Sequence, residues 1–175
     1  MRKKLVRLSL LLAMLVVRTL AAMTLSSEDL QPGAVIAAAQ IYPRCGGENV
    51  SPQLTWSGAP PGTKSLALTM IDTSVQPARW SHWVIVGLPP DTTSLPRGAK
   101  ILPAPARGIQ SNFGDSSYDG PCPPTGSGVH QYQVTIWALS TPGAAIAPDM
   151  KATDLERLLG KLALARASLV GTLSR

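Results

Sequence analysis

Three stretches constrain this chain more than anything else in it. They are Lys64–Asp72 (KSLALTMID), His82–Leu88 (HWVIVGL) and His130–Leu139 (HQYQVTIWAL). Each repeats with period two or is rich in β-branched and aromatic residues, the pattern of strands rather than helices. In the first, Leu66, Leu68 and Met70 share one face while Ser65, Ala67 and Thr69 share the other. Residues 34–41 (AVIAAAQI), 53–56 (QLTW) and 167–173 (ASLVGTL) are further extended candidates. Pro60-Pro61-Gly62 marks a loop, since that tripeptide cannot continue a strand ladder. Residues 89–129 are dense in Pro, Gly, Ser and Asp, and so long a loop in a compact domain reads as a binding rim. One helix is signalled, by a Thr153/Glu156 capping box and by Leu155, Leu158, Leu159 and Leu162 at helical spacing. That Leu stripe reads as core packing. The expected fold class is mainly β, an antiparallel two-sheet β-sandwich with a peripheral C-terminal helix.

With 175 residues, 45% hydrophobic and 15% charged, the chain suits one domain with a sizeable core. The net charge of +6 is unevenly placed. Arg2, Lys3, Lys4, Arg7 and Arg18 fall in the first 22 residues, which hold no acid, leaving eleven cations against ten acids in the rest. A nucleic-acid partner is therefore not expected, because the domain lacks the charge to neutralise phosphates. The first 22 residues have a basic start, an apolar run from Leu8 to Val17 and small residues at Ala21 and Ala22. That is the layout of a secretory signal peptide, its ten-residue apolar run too short to span a bilayer; Arg18, late in the segment, leaves a short uncleaved anchor or a mis-annotated start as the alternative. The expected organisation is a signal peptide over 1–22 and a single domain over 23–175, exported to the periplasm or secreted. In an oxidising compartment the two cysteines, Cys45 and Cys122, read as one disulfide, the alternative being two free thiols. Such a bond would close a long loop and contribute about 4 kcal/mol in the chain-entropy model.

The two histidines, His82 and His130, each stand near the start of a strand candidate. By parity His82 shares a face with Val84, Val86 and the upstream Trp80, and His130 and Tyr132 share one with Val134 and Ile136. Asp72 ends the Leu66–Leu68–Met70 face. If those faces point inward, Asp72, His82, His130 and Tyr132 gather where the core gives way to loops, a setting for a pocket with a few convergent polar groups. Taken singly, each also reads as an ordinary structural residue: a satisfied histidine, a core tyrosine, a turn aspartate.

Several separated motifs, GGENVSPQLTW, GTKSLAL, RWSHWVIVGLP, NFGDSSYDGPCPPTGSGVHQYQVTIWAL and LARASLVGTLSR, stand in an order that resembles the phosphatidylethanolamine-binding protein family. The likeness is strongest to its bacterial Raf-kinase-inhibitor-like branch and covers residues 30–175. The resemblance implies a β-sandwich with a small pocket for phosphate-bearing or other anionic headgroups. It would be built from Asp72, Trp80, His82, the Gly120–Pro124 loop (Gly120, Pro121, Cys122, Pro123, Pro124), His130 and Tyr132. Imidazole and phenol groups suit phosphate oxygens, and Asp72 can orient a neighbouring His by hydrogen bonding. Two positions depart from the family pattern. Asp72-Thr73-Ser74 stands where Asp-Pro-Asp is usual, and Leu173 stands where many relatives carry an aromatic.

The function expected from these readings is an exported, non-enzymatic binding protein for a small anionic or phosphorylated ligand, with no cofactor and no metal. One alternative is an inhibitor that docks on a kinase or serine protease through loop 96–108, which carries Arg97, Lys100 and Arg107. Another is a hydrolase or zinc enzyme using Asp72, His82 and His130. Neither a G-x-S-x-G elbow nor an H-E-x-x-H pair is present. The resemblance also raises a homodimer, for which Trp56, Trp83 and Trp137 are candidate apolar surface.

Overall fold

A computed structural model describes residues 22–77, 79–147, 150 and 152–175. The signal-segment reading thus lies outside the described residues, apart from Ala22. Among these residues eight strands and one α-helix follow in chain order: β1 (Thr24–Ser26), β2 (Leu54–Ser57), β3 (Ser65–Asp72), β4 (Trp80–Leu88), β5 (Ser94–Leu95), β6 (Arg107–Gly108), β7 (Val129–Leu139), α1 (Ala152–Leu162) and β8 (Ala163–Ser174). They form two antiparallel sheets, β1-β2-β5 and β6-β4-β3-β7-β8, the mainly β sandwich with a C-terminal helix that the pattern predicts. The 34–41 candidate does not become a strand. It holds one isolated bridge, Val35 to Thr172, and then a 3-10 turn over Ala38–Gln40.

Two apolar layers explain the patterning. Leu66, Leu68, Met70, Ile85, Val134 and Ile136 pack on Leu54, Trp56 and Leu95 of the small sheet. On the other face Ala67, Val84, Val86 and Trp137 meet Leu155 and Leu159 of α1. The central strand β3 is therefore buried along its whole length, even at positions whose residues are small or polar. Thr69 is accommodated there because its Oγ1 accepts the Trp137 indole N–H at 3.1 Å. Trp56, Trp83 and Trp137 are all 3% exposed or less, so they are core and not the apolar surface expected for a dimer. In the helix, Glu156 pairs with Arg79 at 2.8 Å, and the Thr153 half of the expected capping box lies outside the described side chains. Of the cations expected to contact a partner, Arg97 pairs with Asp29 and Arg107 donates to the Gly143 and Ile146 carbonyls, while Lys100 is exposed.

One irregularity positions the site. β3 pairs Met70 with Trp83 and Ile71 with Ser81, so His82 is an extra residue in β4, a β-bulge. Strict alternation would place His82 with Val84 and Val86. The bulge instead brings its ring 5.1 Å from that of Tyr132, on the inter-sheet face that Trp83 and Ile85 occupy.

Candidate functional site

At one end of the inter-sheet core, β3, β4 and β7 stop in step. Asp72 pairs with both Trp80 and Tyr132, and residues directly opposite in an antiparallel ladder share a face. Asp72, Trp80, Tyr132 and, two positions on, His130 therefore converge, and the bulge adds His82. Loop segments complete a cleft of about 370 Å³, lined also by Tyr42, Arg44, Val75, Phe113, Cys122, Pro123, Pro124 and Arg175. That volume lies in the range of small-molecule sites, roughly 300–1,000 Å³.

The loops are stitched from behind. Asn49, at φ 57°, donates from Nδ2 to the Tyr118 carbonyl and accepts the Gly120 N–H at 2.7 Å. Its short amide side chain suits that left-handed conformation. Tyr42 N–H donates to the Pro121 carbonyl, and the Tyr118 hydroxyl donates to that of Gln40. A Cβ on Gly120 would run into the Gln40 carbonyl, so glycine is required for this approach. Cys45 and Cys122 are bonded to each other, with Cα atoms 5.5 Å apart. Gly120 and Pro121 thus anchor the wall from behind, whereas Pro123 and Pro124 form part of its surface.

The floor has a defined hydrogen-bond polarity. His82 Nδ1 lies 2.8 Å from the Asp119 carbonyl, which can only accept, so Nδ1 carries the proton. Nε2, which has no partner among the described residues, is then an acceptor toward the cleft. Burial pushes the His82 pKa down to about 4, so the ring is neutral at pH 7. His130 uses both nitrogens: Nδ1 donates to Asp72 Oδ2 at 2.6 Å, and Nε2 lies 2.9 Å from Ser127 Oγ. The other Asp72 oxygen accepts the Ser74 N–H, and the Ser74 hydroxyl accepts from Gln131 N–H. Ser74, which stands where the family pattern has a second carboxylate, therefore closes the turn. Tyr132 is 1% exposed, and its hydroxyl, beside the Asp72 carboxylate, has no partner in good hydrogen-bond geometry among the described residues. Burial, then the nearby Asp72 charge, raises its pKa, so it remains a donor.

Phe113 closes over His82 with ring centroids 5.1 Å apart and meets Trp80 edge-on at 6.0 Å. Trp80 is 38% exposed and forms part of the mouth. The loop bearing Phe113 is pinned because Asn112 Oδ1 accepts the Ser81 N–H at 2.8 Å. Leu173 is buried against β7, opposite His130, and Arg175 reaches the cleft in its place. Tyr42, Arg44, Phe113 and Arg175 escape a reading of strand ends because loops deliver them. The only local cues are a lone phenylalanine within NFGDSSYDGPCPP and an arginine beside Cys45. Among the described residues, no three His, Cys, Asp or Glu side chains gather to hold a metal ion.

A two-sheet β domain with a polar-floored, aromatic-walled cleft at the end of its core defines a β-sandwich protein with a cleft of small-molecule size. A family model described as phosphatidylethanolamine-binding protein matches residues 26–174. The chain is 37% identical to the UPF0098 protein YbcL of Escherichia coli over 129 residues, 69% of this chain and 70% of that protein. A UPF0098 protein of Methanothermobacter thermautotrophicus is 40% identical over 139 residues, 75% of this chain and 87% of the relative. A Mycobacterium tuberculosis protein that carries a lipoprotein name, LppC, is 34% identical over 73% of this chain and 62% of its own length. The crystal structure of E. coli YbcL, described as a new member of the mammalian PEBP family, superposes with a TM-score of 0.82. The sequences of that pair are 30% identical, and the match covers 89% of this chain and 99% of YbcL. This chain belongs to the phosphatidylethanolamine-binding protein family.

Proposed function

We propose that the cleft binds a small phosphate-bearing anion of the phospholipid-headgroup kind, and that the protein is a binding protein rather than an enzyme. The observation that carries this reading is the Tyr132 hydroxyl, buried and without a well-aligned partner among the described residues, at a cleft lined by His82. A buried donor left unpaired costs about 1–3 kcal/mol, which a bound oxygen would relieve. The matching group offers both an acceptor and a donor. A hydrogen phosphate monoester does so: one charged oxygen takes the Tyr132 hydrogen, and its P–OH donates to His82 Nε2. His130, with both nitrogens engaged, orients the floor through Asp72 and Ser127 rather than touching the ligand.

Calorimetric titration with inorganic phosphate and phosphoethanolamine tests this. Saturable binding is expected, weakened about tenfold in Tyr132→Phe with little change in melting temperature, since the hydroxyl makes no well-aligned hydrogen bond among the described residues. Absence of saturable binding by either compound overturns it. Export belongs to the same reading, supported by the layout of residues 1–22 and by a cysteine pair suited to an oxidising compartment. Recovery from the cell of protein with Met1 intact would overturn export.

A further inference from the structure

The phosphate floor described above is poor in positive charge. Between Pro121 and Pro124 only Cys122 has a backbone N–H, because proline has none, so this wall cannot wrap an anion in amides. His82 presents an acceptor, and His130 spends its nitrogens on Asp72 and Ser127. Asp72 itself lines the cleft and disfavours an anion there. Among the described residues the permanent cations on this cleft are Arg44 and Arg175, and neither pairs with an acidic side chain there. The same cross-link holds both. Arg44 precedes Cys45 in the 3-10 turn Pro43–Cys45. Arg175 Nη1 rests on Cys45 Sγ and reaches the Pro123 carbonyl at 3.4 Å.

We infer that Arg44 and Arg175 form a second anion subsite at the lip of the cleft, so that its ligands are small phosphomonoesters carrying a further carboxylate or phosphate. The inference rests on the phosphate reading of the floor and narrows it. A guanidinium presents a planar fork of donors that matches carboxylate and phosphate oxygens. The cleft is larger than a bare phosphate needs, and the Tyr42 and Phe113 rings give an apolar surface for a short spacer between two charged ends. A ligand whose second end is an ammonium meets like charge at the lip.

Three probes separate the possibilities: inorganic phosphate, phosphoethanolamine and 2-phosphoglycolate, the last two similar in size with opposite charge at the free end. In low-salt buffer the protein is expected to bind 2-phosphoglycolate about tenfold tighter than phosphoethanolamine, a gap that narrows as salt screens the lip. In the double variant Arg44→Gln/Arg175→Gln the two esters are expected to bind within about twofold of one another. Arg44→Lys/Arg175→Lys, which keeps the charge, is expected to retain the preference, and matching melting curves establish that the variants are folded. Equal binding of the two esters by the unaltered protein, or a gap that survives the double glutamine variant, overturns the subsite while inorganic phosphate still binds. Failure of both inorganic phosphate and phosphoethanolamine to bind overturns the floor reading and this inference with it.

Discussion

His82 offers a test of the site that needs no ligand. Its ordinary pKa is 6.5 and burial lowers it to about 4, so protonation favours the unfolded chain. Stability is therefore lost as pH falls from the unfolded value toward the folded one. With those two values, linkage gives a destabilisation of about 2 kcal/mol between pH 7 and pH 4.5. Asp119 works in the opposite direction. Burial, reinforced by Asp115, pushes its pKa up to about 6, so its contribution rises as pH falls through that range. The two effects offset each other in the unaltered protein. Comparison with His82→Gln isolates the histidine, because Asp119 is common to both proteins. In urea unfolding, the stability of the unaltered protein relative to His82→Gln should fall by about 2 kcal/mol between pH 7 and pH 4.5. A difference constant within about 0.5 kcal/mol would refute the picture of a neutral histidine held in a desolvated floor.

Asp72→Ala leaves the buried His130 Nδ1–H and the Ser74 N–H without their acceptor, and should cost about 3–5 kcal/mol in chemical denaturation. Asp72→Ala and His130→Ala should be non-additive in a double-mutant cycle, and strict additivity would count against the pair. Replacing both Cys45 and Cys122 by Ala should remove about 4 kcal/mol, read as a lower urea midpoint, because the bond closes a separation of 77 residues. Gly120→Ala should destabilise the loop and weaken phosphate binding together, since its Cβ would collide with the Gln40 carbonyl. An unchanged melting temperature there would show that this approach is looser than the structure has it.

Much of the architecture is legible in local sequence. Period-two runs became β3, β4 and β7, the Leu155–Leu159 spacing became the buried face of α1, and Asp72, His130 and Tyr132 meet because residues of one parity end a shared face. Those are consequences of backbone geometry, which repeats with the chain. Position 34–41 misleads because apolar residues alone do not supply a partner strand, and the chain there turns into 3-10 geometry after a single bridge. The location of Trp56, Trp83 and Trp137 likewise depended on which faces other elements cover. His82 is the instructive case. Its membership of the site was readable, but its face was not, because one extra residue in β4 reverses the parity. A bulge is defined by the pairing of two strands, and no single strand carries its signature. The charged lip was equally out of reach: Arg44 and Arg175 lie 131 positions apart and meet only through the Cys45–Cys122 cross-link. Sequence alone determined the strands and the polar residues at their ends. Tertiary packing decided which of those residues face the cleft, and which loop side chains join them, because both depend on contacts between segments distant in the chain.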